Sequence, residues 1–285
     1  MRSGKPSRTA QFVAYNRALG TLAPRVPGFA DPWAVEFLPA GWRRRVERAR
    51  RALAGYPQKS PYPFWTRGMA IFNQYRTVVF DRAIAAALPV PQLVILGAGF
   101  DTRAWRLDGL EATTVFEVDH PATQSLKRAR AGTLPPKARQ IRFAPIDFRD
   151  GDLPAVLAEA GYDARQLAFW LWEGVAMYLP PAQVAANLAS FAALSAPGSR
   201  LALTYLSKDR GRMPGSLFLA LIGEPVRSAY SPAELAQTAA AAGWTVTADS
   251  GIADWMRDLP SAQRLTRRQV GLQWLERIAV GEKSS

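Results

Sequence analysis

Two glycines and two acids stand at the ends of neighbouring predicted strands. Gly97 and Gly99 follow the apolar run 92–96, and Glu117 and Asp119 end the next apolar run, 20 and 22 residues after Gly97. Glycines behind a buried strand let the backbone approach a ligand, and the next helix can offer free N–H groups. A carboxylate at the end of the second strand can accept hydrogen bonds from both hydroxyls of a ribose. The pattern therefore predicts a site for a nucleoside-type cofactor.

The glycine turn differs from the two commonest nucleotide-binding loops. The dinucleotide fingerprint needs a glycine or alanine at position 102, where this chain has Thr102, and no Walker A sequence follows. A turn without a pyrophosphate clamp, followed by a ribose-binding acid, fits S-adenosylmethionine (SAM) better than NAD. A nicotinamide-dependent oxidoreductase stays open as the alternative, and so does a purely structural acid that caps the next helix.

Apolar runs and helical patterns alternate from Pro91 onward, which is typical of a doubly wound α/β fold with a mostly parallel sheet. The predicted strands are 92–96, 113–119, 140–146, 166–172 and 200–206, and the predicted helices between them are 121–131, 153–160 and 181–194. Two later runs, 244–250 and 274–282, indicate two further strands that form an antiparallel pair at the sheet edge.

The first 90 residues differ from the rest in both pattern and charge. They hold 15 Lys/Arg and 4 Asp/Glu, whereas residues 91–285 hold 21 and 19. Helices are predicted over 9–22, from Asp31-Pro32, over 41–55 and over 64–88. We expect residues 1–90 to form a helical cap within the same domain as the core 91–285, which carries a substrate-covering insertion near 207–230.

The predicted helix 41–55 is the most basic segment, and Arg44, Arg48 and Arg51 lie off its apolar face. Three interpretations stay open: a solvated helix on a lid, attraction of an anionic small substrate, and binding of nucleic-acid phosphates. The aromatic residues are not interleaved with these arginines as stacking platforms, which disfavours nucleic acid.

Composition narrows the possible chemistry. The chain has no cysteine and a single histidine, His120, which excludes disulfides, cysteine nucleophiles and zinc sites built from several histidines. No metal site is predicted. No apolar run is long enough for a membrane-spanning helix, and no secretory signal is recognisable, so we expect a soluble, cytoplasmic protein.

The motifs resemble those of the leucine carboxyl methyltransferase family, in particular its bacterial branch of small-molecule and polyketide O-methyltransferases. The matching segments are VILGAGFDTRAWRL at 94–107, FEVDHP at 116–121, WEGVAMYLP at 172–180, YRTVVFD at 75–81 and PIDF at 145–148. The resemblance implies a class I methyltransferase fold, Rossmann-like, with a seven-stranded sheet and a helical N-terminal cap. It also implies SAM as the cofactor, with S-adenosylhomocysteine (SAH) as the product.

The resemblance also implies roles for individual residues. Arg76 would pair with the carboxylate of SAM, Glu173 would face its ammonium group, and Asp147 with Phe148 would contact adenine. Arg17 is a further candidate from the cap. As alternatives, Arg76 could be a surface residue of a helix, and either acid a helix N-cap. The full set of expected SAM contacts is Arg17, Arg76, Gly97, Gly99, Asp119, Asp147, Phe148 and Glu173.

Three further residues are expected to have other roles. Glu117 is expected to support Asp119, His120 to be structural, and Tyr178 to lie near the acceptor. Methyl transfer from SAM requires mainly positioning and exclusion of water, so no dedicated catalytic base is expected. A carboxylate, with a pKa near 4, is already ionised at neutral pH, whereas a phenol, near 10, would gain from a base.

The most direct functional prediction is an O-methyltransferase that acts on the carboxylate of a small acidic metabolite. Partners other than this substrate are not predicted: no membrane is expected, and nucleic acid is disfavoured. A nicotinamide-dependent oxidoreductase, a nucleic-acid methyltransferase and a SAM-binding protein without catalysis are the alternatives.

Overall fold

The computed structural model describes residues 7–56, 60–62, 67–132, 134–147, 151–208, 225–261 and 264–284. Within these ranges one seven-stranded sheet has the strand order β3-β2-β1-β4-β5-β7-β6. The strands are β1 (Gln92–Leu96), β2 (Thr114–Asp119), β3 (Gln140–Pro145), β4 (Ala168–Trp172), β5 (Arg200–Leu206), β6 (Trp244–Gly251) and β7 (Glu276–Lys283). The predicted doubly wound, mostly parallel sheet is confirmed.

Strands β1 to β5 are parallel, and β7 is antiparallel to both β5 and β6. The chain order reverses at β1, which lies between β2 and β4, so a crevice opens at the carboxyl ends of these strands. All residues of β1, β2 and β4 are buried, as their continuous apolar runs predict. The predicted antiparallel pair is present. Of its two strands, only β6 lies at an edge of the sheet, whereas β7 lies between β5 and β6 and is more buried.

The helices are α1 (Arg8–Leu22), α2 (Ala40–Gly55), α3 (Arg67–Ala85), α4 (Arg103–Arg106), α5 (Pro121–Ala131), α6 (Leu153–Glu159), α7 (Pro181–Ala193), α8 (Pro232–Ala241), α9 (Ile252–Asp258) and α10 (Arg267–Val270). Several begin where the sequence provides a cap. Ser7, Asp152 and Ser231 each accept a backbone N–H of the first turn through the side chain. None of the described helices combines the length and apolarity needed to cross a membrane.

The segment that begins at Asp31-Pro32 forms turns, so the helix predicted there is absent. Asp31 does accept the N–H of Ala34 through Oδ1, at 3.1 Å, as an N-cap would. However, the same carboxylate also binds Arg17 and Thr102, which lie on other elements, and Pro39 follows within eight residues. These tertiary contacts hold the segment as turns.

The sheet has a hydrophobic core on each face. On one face, α1 and α3 pack with residues of β1 and β4 such as Leu93, Ile95 and Phe169. On the other face, α7 and α8 pack with residues such as Trp170 and Trp172. Helices of the N-terminal region therefore share a core with the sheet, which supports treating the cap and the core as one domain; that division stays a prediction.

Helix α2 is an outer layer on α1. Its Trp42 ring contacts the rings of Phe12 and Tyr15 on α1, with centroids 6.5 and 4.9 Å apart, and Val46 is its buried residue. The arginines of α2 are exposed. The basic face predicted from the sequence is therefore a surface, one helix away from the glycine turn.

Candidate functional site

The glycine turn lies between β1 and α4, at the point where the strand order reverses. Gly97 and Gly99 have φ values of +64° and +48°, in the left-handed region that favours glycine. A Cβ atom at Gly97 would lie 2.6 Å from Cγ2 of Val175, and one at Gly99 would lie 3.1 Å from Cβ of Ala10. Both glycines are thus required, because their neighbours from the β4 loop and from α1 approach closely.

Asp119 ties the end of β2 to this turn. Its Oδ2 accepts the N–H of Gly99, and its Oδ1 accepts the N–H of His120 at 2.5 Å. Burial raises the pKa of Asp119, and these two backbone N–H groups oppose that rise. A carboxylate has about four lone-pair positions, so acceptor capacity is left for two hydroxyl groups.

Glu117 is committed to a buried ion pair. It lies 2.7 Å from Nζ of Lys127, both side chains are about 1% exposed, and the ammonium group also lies over the rings of Phe37 and Trp105. Burial raises the pKa of Glu117 to about 7, against the opposing effect of Lys127. This enclosed pair joins the end of β2 to α5, and the supporting role expected for Glu117 beside Asp119 stays a prediction.

Arg76 of α3 lies between two carboxylates. Its Nε is 2.8 Å from Oε1 of Glu173, which follows β4, and its Nη1 is 2.9 Å from Oε1 of Glu276, the first residue of β7. Burial lowers the pKa of Arg76, but the two carboxylates outweigh burial and leave it raised. Arg76 and Glu173, predicted separately, are therefore direct partners, and Glu276 is a third member that sequence reasoning missed.

A second arginine, Arg103 of α4, holds Glu173 from the other side. Its Nη1 donates to Oε2 of Glu173 at 3.0 Å and to Asp101, and its Nε donates to Asp81 at 2.7 Å. Asp81 also binds Arg106 through two hydrogen bonds, at 2.6 and 3.0 Å. Burial would raise the pKa of Glu173, but Arg103 and Arg76 lower it overall, so this carboxylate is held ionised.

Sequence reasoning did not assign Asp81, Asp101, Arg103 or Arg106, although all four lie within the quoted motifs. A signal was therefore present in the segments around the first strand. Glu276 lies outside every motif, and its partner is 200 residues away in the chain. A buried charge with such a distant partner leaves no local pattern.

Arg17 brings α1 onto the glycine turn. Its Nη2 donates to the carbonyl oxygen of Phe100 at 2.5 Å, and its Nε lies 2.9 Å from Oδ2 of Asp31. Thr102, the residue that replaces the third glycine, donates to Oδ1 of the same aspartate at 2.7 Å. The N-terminal region therefore covers the turn directly.

The remaining predicted residues lie around the same sheet edge. Asp147 follows β3, and its Oδ2 is 3.9 Å from Nε2 of His120. His120 is the N-cap of α5, where Nδ1 accepts the N–H of Ala122 at 3.2 Å, which is a structural role. Tyr178 packs at the end of β5 and is close enough to Arg76 to raise its pKa. Phe148 lies outside the described residues.

The structure thus joins Arg76 to Glu173, Gly99 to Asp119, and Arg17 to the backbone of the turn, all at the carboxyl ends of the parallel strands. Asp147 lies at the flank of this group, beside His120. Among the residues that the structure describes, no group of three acidic or histidine side chains is arranged to hold a metal ion.

Two solved structures with the same fold are named as methyltransferases. A provisionally named methyltransferase from Thermobifida fusca aligns with a TM-score of 0.59 at 19% identity, covering 100% of this chain and 97% of that one. The magnesium protoporphyrin IX methyltransferase of Synechocystis PCC 6803, solved with bound SAH, aligns with a TM-score of 0.52 at 15% identity, covering 86% and 95%. At these identities the likeness shows the fold alone.

Sequence relatives are closer. A provisionally named SAM-dependent methyltransferase of Mycolicibacterium gilvum is 38% identical over 210 residues, covering 70% of this chain and 65% of the relative. Another, of Mycolicibacterium smegmatis, is 43% identical over 206 residues, covering 70% and 66%. The matched region thus spans about two thirds of the length of these relatives. The sequence model of the leucine carboxyl methyltransferase family matches residues 10–192, and the chain belongs to this family.

Proposed function

We propose that the protein is a SAM-dependent O-methyltransferase that methylates the carboxylate of a small acidic metabolite. The observation that carries the proposal is the pairing of Arg76 with Glu173 beside the glycine turn and Asp119. These groups come from four separate elements and meet where the strand order reverses. Family membership supplies the donor, and the acceptor is inferred from the chemistry of the site.

The residues present fit SAM by charge and by hydrogen-bonding capacity. The closest contacts of Arg76 with its two carboxylates are made by Nε and Nη1, so Nη2 is the candidate donor to the carboxylate of SAM. Glu173, held ionised by two arginines, can take the ammonium group, and Asp119 keeps acceptor capacity for the ribose hydroxyls. Gly97 and Gly99 expose the backbone of the turn, and Asp147 is the candidate for the adenine amino group.

SAM, when bound, supplies a methyl group attached to a positively charged sulfur. The protein has little covalent work to do, so its contribution is to bind, to orient and to exclude water. Arg76 and Glu173 fix one end of the site because they are locked to each other and to buried neighbours. The contacts of Arg17 and Ala10 with the turn keep α1 over the site, where it excludes water.

The acceptor is best understood as a carboxylate because the protein offers no free histidine or cysteine base. His120 is the only histidine in the sequence, and its ring caps α5. A carboxylate is ionised at neutral pH and needs no proton removed, whereas a phenol does. The exposed arginines of α2, which lie one helix away from the turn, favour an anionic acceptor by attraction.

The test is incubation with methyl-labelled SAM and a panel of small aromatic and aliphatic acids, with phenols of matched shape. Label should enter the acids, and mild alkali should release it, because methyl esters hydrolyse and aryl methyl ethers do not. The rate should be flat above about pH 6, since carboxylates are already ionised there. Label that is stable to alkali, or a rate that climbs toward pH 10, would reassign the acceptor as a phenol. Failure of SAM to bind at all would refute the proposal as a whole.

A further inference from the structure

The methionine end of the proposed site belongs to one continuous chain of ion pairs. Paired members lie within 4.0 Å of each other. Glu276 binds Arg76, Arg76 binds Glu173, and Glu173 binds Arg103. Arg103 also binds Asp101 and Asp81, and from Asp81 the chain continues through Arg106 and Asp31 to Arg17. The side chains involved are no more than 15% exposed. The chain therefore behaves as a single buried electrostatic unit.

This unit has one carboxylate more than it has guanidinium groups. The acids are Asp31, Asp81, Asp101, Glu173 and Glu276, and the bases are Arg17, Arg76, Arg103 and Arg106. Glu276 stands at its end and has only Arg76 as an ion-pair partner among the described residues. Removing the charge of Glu276 would leave four acids and four bases, a neutral unit, without breaking any other ion pair of the chain.

Glu276 is buried and fixed in position by the sheet. Its side chain is 3% exposed, and it heads β7, whose pairing with β5 aligns Glu276 with Leu206. Its carboxylate binds Nη1 of Arg76 at 2.9 Å, while that of Glu173 lies 2.8 Å from Nε, so the closest contacts of the two acids are made to Nη1 and Nε. Burial raises the pKa of Glu276, and the guanidinium group of Arg76 opposes that rise. Paired with Arg76 at 2.9 Å, the Glu276 carboxylate places a negative charge at the methionine end of the proposed site.

The methyl donor SAM and its product SAH differ in their positive charge. SAM carries a sulfonium charge that SAH lacks, and the two molecules are otherwise alike apart from the methyl group. A net negative unit beside the methionine end stabilises the charged form more than the neutral one. A neutral unit would not distinguish them by this means.

We propose that Glu276 is a positioning residue of the cofactor site, which holds Arg76 for the donor's carboxylate and biases binding toward SAM over SAH. It acts through Arg76 and through its charge, without touching the reacting atoms. The consequence for turnover is reduced inhibition by the product. This inference rests on the proposed function, since it requires SAM to bind at this site.

The experiment is calorimetric titration of the full chain with SAM and, separately, with SAH. Glu276→Gln keeps the shape and the hydrogen-bond acceptor but removes the charge. We expect it to weaken SAM binding by about tenfold, which corresponds to about 1.4 kcal/mol, and SAH binding by less than about threefold. Glu276→Asp, which keeps the charge, should hold the SAM-to-SAH ratio within about twofold of the unaltered protein.

The matched control is Glu282→Gln on the same strand. The Glu282 side chain is 49% exposed, and its contact with Arg200 is long, at 4.0 Å. This variant should change neither affinity. Equal losses for both ligands in Glu276→Gln would show a merely structural counter-ion and overturn the inference, as would no loss at all. If the Gln variant does not fold, a changed SAM-to-SAH ratio in Glu276→Asp overturns it instead. Absence of SAM binding by the unaltered protein would refute the proposed function, and this inference with it, before any variant is compared.

Discussion

Replacement of Arg103 by leucine removes the most connected cation of the buried ion-pair chain. Its side chain is 1% exposed and binds Asp81, Asp101 and Glu173. Two of these acids keep a partner in the variant, since Asp81 retains Arg106 and Glu173 retains Arg76. Asp101 loses its ion pair and keeps the backbone N–H of residue 103, at 2.7 Å.

The expected loss of unfolding free energy follows from these remaining contacts. Removing one partner of a buried pair typically costs about 3–5 kcal/mol, because the other charge is left uncompensated. Only one of the three acids is fully deprived, so we expect the lower end, about 3 kcal/mol of unfolding free energy. Urea unfolding should show this as a lower midpoint with an unchanged slope. Arg165→Leu is the control, because Arg165 is 90% exposed in its pair with Asp163 and should change the midpoint little.

Acid provides a second readout of the same variant. Burial would raise the pKa of Asp101, but Arg103, with Arg17 and Lys127, holds it below its usual range. A lowered pKa in the folded protein gives stability that is present above about pH 4 and is lost as the pH falls further. The difference between the unaltered protein and Arg103→Leu should therefore shrink between pH 6 and pH 3. A loss below about 1 kcal/mol at pH 7, or a difference independent of pH, would refute this account of the network.

Three further predictions concern other parts of the site. Asp119→Ala should weaken SAM binding at least tenfold by calorimetry, because it removes the ribose acceptor and the anchor of the Gly99 N–H; unchanged affinity would contradict the proposed role. The unaltered protein should lose thermal stability as the pH rises from about 5 to 7, since a raised folded-state pKa of about 7 for Glu117 gives stability that is present below the unfolded pKa and lost as the pH rises. The double variant Glu117→Gln/Lys127→Met should not show this fall; a fall of the same size in both proteins would argue against the Glu117 assignment. The double variant Arg44→Gln/Arg48→Gln should lower kcat/KM for an acidic acceptor at low ionic strength and leave it unchanged at high ionic strength, because salt screens long-range attraction. Equal losses at both salt concentrations would mean that α2 does not act by attraction.

The sequence predicts the parts of this protein whose causes are local. The run 92–96 coincides with β1 because a strand buried on both faces must be apolar throughout. The turn at Gly97 and the acid at Asp119 follow from the same strand pattern. The helix expected at Asp31 is absent although its cap contact is present, because Arg17 and Thr102 from distant segments bind the same carboxylate.

The charge network was only half accessible from sequence. Arg76 and Glu173 were assigned through the family resemblance, but their mutual contact and their link to Arg103 depend on how α3, α4 and the β4 loop cross the sheet edge. Glu276 joins them because β7 inserts between β5 and β6, and that position is set by long-range pairing rather than by any local pattern. Buried ion pairs between distant segments are thus the feature that a single sequence conceals best.

The insertion of β7 has a consequence for how the protein matures. β6 pairs with no strand other than β7 within the described sheet, and Arg76 obtains its second carboxylate from the first residue of β7. While the polypeptide is being synthesised, everything up to residue 275 can emerge before β6 has a pairing strand, and until then Arg76 has Glu173 but not Glu276 as a partner. A product that terminates before β7 would therefore lack both the pairing of β6 with the sheet and the second carboxylate of Arg76.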